Sequence, residues 1–210
     1  MRTTVFSVIG LFSAALLAGC TSSDEKKSEP VLNPAATATA ITEPFRYHRA
    51  IEVRPGLTFD VLSWGRGSET TGAFMILRSD STNLKYRSTT GELDGKIVDA
   101  WNMDMDSDGN PEIFIHAEGE GEGSHLNMYV YEFNESGSSQ KLTFPGLSTS
   151  SKKGYKGQDS IFINDGKLRR QFPVYEETDA PNKPGGGKKL LEYSLRNNSF
   201  IVKEVKEENK

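Results

Sequence analysis

From Leu57 onward the chain is a succession of short runs rich in β-branched and aromatic residues, each closed by a turn containing glycine, asparagine or proline. That rhythm favours antiparallel strands over any other arrangement. Leu191, Tyr193 and Leu195 alternate with Glu192, Ser194 and Arg196, the period-two pattern of a strand with one wet face. Leu57 to Trp64, Ala73 to Arg78, Lys96 to Met103, Glu112 to Glu118, Leu126 to Phe133, Leu168 to Tyr175 and Phe200 to Val205 read in the same way. Turns are expected at Gly65-Arg66-Gly67, Thr90-Gly91, Ser107-Asp108-Gly109-Asn110, Ser136-Gly137, Asn164-Asp165-Gly166 and Pro184 to Gly187. No segment of this region shows helical periodicity, which excludes a βαβ fold, and no internal repeat is visible. The expectation is an all-β antiparallel sandwich.

The first residues follow a different logic. Arg2 precedes an apolar run from Val5 to Leu17, too short to span a bilayer, and Leu17-Ala18-Gly19-Cys20 reads as a lipobox ending in the only cysteine of the chain. Residues 1–19 are therefore expected to be a lipoprotein signal peptide. Cys20 would carry the lipid, with more than one acyl chain holding the protein on its membrane. Thr21 stands where an Asp would resemble an inner-membrane retention signal, which favours the outer membrane, periplasmic or surface-exposed. Residues 20–43 are poor in large apolar side chains and read as a flexible tether. The β domain is expected over 44–206 and a frayed tail over 207–210.

The formal net charge is −4, and loss of the signal removes one further positive charge, Arg2. A mildly acidic chain offers no basic face for nucleic acid but suits a cationic partner.

Asp104-Met105-Asp106-Ser107-Asp108-Gly109-Asn110-Pro111-Glu112 places carboxylates at alternate positions before a glycine, then another at the ninth position. Calcium prefers such hard oxygen ligands. The twelfth position is Ile115 and no helices flank the loop, so it is no full EF-hand. The shorter form resembles the calcium loops of integrin-type β-propellers. The pattern serves equally a structural calcium site of Asp104, Asp106, Asp108 and Glu112, or a tight Asp-rich turn bonded to its own amides.

Catalytic groups are sparse. The histidines are His48, His116 and His125, and Cys20 is expected to be consumed by lipid. Glu118, Glu120 and Glu122 alternate with Gly119, Gly121 and Gly123, which suits a polar loop better than the rigid, pKa-separated acids of a glycosidase. No enzymatic activity and no required cofactor are expected.

Gly119 to Phe133 (GEGEGSHLNMYVYEF), the segments from Phe144 to Ser148 and Tyr155 to Asp159, and above all Leu168 to Leu195 (LRRQFPVYEETDAPNKPGGGKKLLEYSL) resemble the PliI-type periplasmic inhibitors of invertebrate-type lysozyme. The resemblance implies an antiparallel β-sandwich that pushes a loop into the lysozyme cleft, and homodimers in some members. Members carry a Ser-Gly motif with a following tyrosine on that loop; this sequence departs from it, with Gly123-Ser124 in the loop and the nearest tyrosines, Tyr129 and Tyr131, in the next strand. The contacts it implies are Ser124, Gly123 and Tyr129, with Tyr155 and Gly157 as a second region. The alternative is a calcium-stabilised, non-catalytic surface module that binds glycan or an envelope protein.

Overall fold

The computed structural model describes residues 43–119, 125–180 and 183–206. The signal, Cys20, all of the tether but Glu43, Gly123, Ser124 and the tail from 207 lie outside the described residues. Among the described residues, twelve strands form three antiparallel sheets of four. The first is the meander β1 (Phe45–Arg54), β2 (Leu57–Trp64), β3 (Thr71–Asp80) and β4 (Lys85–Asp94). The second is β5 (Lys96–Met103), β6 (Glu112–Glu118), β7 (Leu126–Phe133) and β8 (Ser139–Leu142), and the third is β9 (Ser160–Asn164), β10 (Lys167–Pro173), β11 (Lys188–Arg196) and β12 (Ser199–Val205). The all-β antiparallel expectation holds. A four-residue helix, α1 (Thr149–Lys152), is capped by the Ser148 hydroxyl, which accepts from the Ser151 amide at 3.1 Å.

The second sheet is the middle layer. Ile113, Ile115, Ala117, Tyr131 and Phe133 pack with Phe59, Val61, Phe74 and Ile76 of the first sheet. Phe114 and Val130, on the opposite face, pack with Leu168, Phe172, Leu191 and Tyr193 of the third. Every residue from Glu112 to Ala117 is consequently buried, so β6 has no wet face. Each large apolar side chain removed from water here contributes about 1.5–3 kcal/mol.

Thr90-Gly91, expected as a turn, lies inside β4, with Gly91 opposite Phe74. A Cβ at Gly91 would stand 2.4 Å from the Phe74 ring, so the glycine answers a packing demand rather than a reversal. The chain crosses from the first sheet to the second at Gly95 (φ 100°), where a side chain would meet the Glu118 carbonyl. Among the described residues, no helix is long and apolar enough to cross a membrane.

Candidate functional site

Even-numbered residues of β6 face the third sheet, as Phe114 shows by its packing, and this places Glu112, His116 and Glu118 on that face. The two ends of the strand open into the two loops singled out by sequence.

At the first end, Ser107 (φ 60°) and Gly109 (φ 85°) reverse the chain between β5 and β6. Asp104 accepts from the amides of Asp108 and Gly109, each at 3.1 Å, and Asp108 accepts from the Asn110 amide and side chain, each at 2.8 Å. The Met105 amide donates to Glu112 Oε2 at 2.7 Å. One carboxylate oxygen from each of Asp104, Asp106, Asp108 and Glu112 lies within 4.8 Å of the others. The sequence-predicted quartet is thus brought together.

The register of β6 and β7 adds a fifth acid, Glu132, directly opposite Glu112. Glu112 is fully buried and Glu132 is 8% exposed. Asp106 Oδ1, Glu112 Oε1 and Glu132 Oε2 are buried without a hydrogen-bond partner. Burial, reinforced by Asp106, Asp104 and Glu132, pushes the Glu112 carboxyl up to about 8. Burial likewise raises Asp106, with Asp108 adding, and Glu132, with Asp108 and Asp106 adding. Sequence reasoning passed over Glu132 because, between Tyr131 and Phe133, it reads as the wet position of an alternating strand. Only its register with Glu112 marks it.

At the other end, the Gly119 amide donates to the His125 carbonyl at 3.0 Å, bringing together the two residues that flank segment 120–124. The Leu126 amide donates to Asp159 Oδ2 at 3.3 Å. Asp159 is held by Arg170 Nε at 2.7 Å and accepts from the Tyr155 hydroxyl, while Arg170 Nη2 donates to that hydroxyl at 3.1 Å. The Tyr155 ring also meets His125 edge-on at 5.5 Å. Burial, then the hydrogen bond and charge of Asp159, push the Tyr155 hydroxyl up to about 12.

The residues implied by the resemblance therefore separate. Gly123 and Ser124 lie outside the described residues. Tyr129 is half-buried against Phe74, its hydroxyl accepting from the Asp94 amide at 2.8 Å and lying 3.3 Å from the Asp94 carbonyl. Tyr155 is committed to Asp159, and Gly157 (φ 84°) shapes the segment between them. These two tyrosines position the framework around the hairpin. His116, 9% exposed, is held below its ordinary value by burial, and His48 bonds Asp60 at 2.7 Å on an exposed face.

Comparison with protein-family models, with curated proteins and with solved structures gives no match.

Proposed function

We propose that this chain is a non-catalytic binding protein of the bacterial envelope, lipid-anchored at Cys20, that inhibits lysozyme with the β6–β7 hairpin as its contact element. The observation that carries the reading is the anchoring of the hairpin base. β6 is buried on both faces, Gly119 and His125 are joined by a backbone hydrogen bond, and Leu126 is tied through Asp159 to Arg170 of β10. A loop inhibitor needs this combination, because ordering a loop during binding subtracts from affinity. Invertebrate-type lysozyme is the target that the sequence resemblance suggests. Glu118, Glu120 and Glu122 would speed association with a basic lysozyme surface in a salt-sensitive way.

The test is a titration of the full chain, purified in detergent, against invertebrate-, chicken- and goose-type lysozymes on a cell-wall substrate. Palmitate labelling of the wild type but not of Cys20→Ser locates the anchor. Stoichiometric inhibition of one class, weakened by Ser124→Ala and by salt, is expected. Full activity of all three classes at a tenfold excess of the chain rules the reading out.

A further inference from the structure

The acid loop at the start of β6 is only half explained as a turn. Asp104 and Asp108 spend their oxygens on local amides, as an Asp-rich turn should. Asp106 Oδ1, Glu112 Oε1 and Glu132 Oε2 do not, and all three atoms are buried. A buried acceptor without a partner loses its hydration and gains nothing in return. Among the described residues, none of these five acids is in an ion pair: Arg49 pairs with Asp99, Arg78 with Asp80, Arg170 with Asp159, Lys167 and Arg169 with Glu192, and His48 with Asp60. Glu112 and Glu132 face each other across a strand pair, where like charges repel.

We propose that Asp104, Asp106, Asp108 and Glu112 hold one calcium ion, with Glu132 supplying further negative charge from the neighbouring strand. The donor set consists of oxygen alone, which selects a hard cation over zinc or copper. The number of carboxylates then favours calcium over magnesium, and the spacing admits it. Oxygens on opposite sides of calcium stand about 4.6–5.2 Å apart, twice the usual bond, whereas around magnesium they stand about 4.0–4.2 Å apart. An envelope of 4.8 Å accommodates the calcium sphere, and magnesium rarely gathers so many protein carboxylates. Because Glu112 opens β6, the ion would fasten the loop to the strand on which the whole middle sheet is built. This site stands apart from the proposed inhibitory role and would exist whatever the hairpin binds.

Equilibrium dialysis of the chelator-stripped full chain against labelled calcium, together with thermal melts in calcium, in magnesium and in chelator, tests the assignment. One calcium per chain is expected, with a melting temperature higher by roughly 5–10 °C at a hundredfold excess over Kd. Asp106→Asn and Glu112→Gln should each abolish that rise. Glu132→Gln should weaken binding about tenfold at unchanged stoichiometry, as a residue beside the ligands does. If Glu112→Gln fails to fold, Asp106→Asn carries the test alone. No bound calcium in the wild type, an equal response to magnesium, or a calcium response that survives Asp106→Asn overturns the proposal.

Discussion

On the face that the second sheet turns toward the third, two buried polar clusters sit at opposite ends of β6, and they are balanced differently. Around Tyr155, the carboxylate of Asp159 has Arg170 as its counter-ion, at 2.7 Å and nearly inaccessible on both sides, and its remaining capacity is taken by a hydroxyl and an amide. Around Glu112, the acids gather without a cationic side chain among the described residues, and three of their oxygens have no partner. Phe114, stacked on Trp101 at 5.5 Å, stands between His116 and Glu112 on that same face. The difference teaches that burial alone does not define a structural cluster. One of these has its counter-ion among the described residues, and the other has none there.

The comparison can be broken most forcefully at the complete end. Asp159→Ala leaves Arg170 buried without its partner and frees the Leu126 amide and the Tyr155 hydroxyl, a change that costs about 3–5 kcal/mol. Urea unfolding should show that loss at equal size in calcium and in chelator, since sites that share no partner add independently. A cost that shrinks by half in calcium would mean that the two clusters act as one, and the contrast between them would fail.

How far the sequence foretold this arrangement depends on where a strand lies in its sheet. Every central strand, β2, β3, β6, β7, β10 and β11, was legible from apolar alternation or from an unbroken apolar run. The four strands that escaped notice, β1, β4, β8 and β9, are all sheet edges. Edge strands such as KYRSTTGELD in β4 carry charges and small residues on exposed positions, which erase the period-two signal. The threefold repetition of a four-stranded meander was invisible for a related reason: it is a repetition of hydrogen bonding, and each sheet packs against different neighbours. At the site, the spacing of Asp104 to Glu112 was local and readable. The contribution of Glu132 depends on cross-strand register and that of Arg170 on packing between sheets, which no local pattern encodes.

A smaller effect sharpens the contrast through pH. His116 is faced by Glu118 from its own strand, Asp99 from β5, Asp159, and Arg170 from β10, and burial outweighs the acids in holding it below its ordinary value. Its folded form therefore resists a proton that the unfolded chain accepts. Stability is unaffected by this group above about pH 6.5, the ordinary histidine value, falls as pH drops below that, and stops falling once the folded imidazole itself titrates. His116→Gln should flatten the melting-temperature profile over that interval. An unchanged slope would show that the cluster around Asp159 already accommodates the charged imidazole.

The smallest effect is expected where water can solvate the charge. On the outer face of the third sheet, Glu192 is bridged by Lys167 at 2.8 Å and by Arg169 at 3.1 Å, a contact chemically like that of Asp159 with Arg170 but beside solvent. Lys167 and then Arg169 hold the Glu192 carboxyl below its ordinary value. Lys167→Ala should nonetheless change unfolding stability by less than about 1 kcal/mol, because the lysine is more than half exposed and water with Arg169 takes its place. A loss as large as that of Asp159→Ala would mean that ion pairing, wherever it occurs in this fold, sets stability, and the shortage of cations around Glu112 would then have no special standing. A negligible loss confines the need for a counter-ion to buried positions, such as the Arg78–Asp80 pair of the first sheet and the clusters between the second and third.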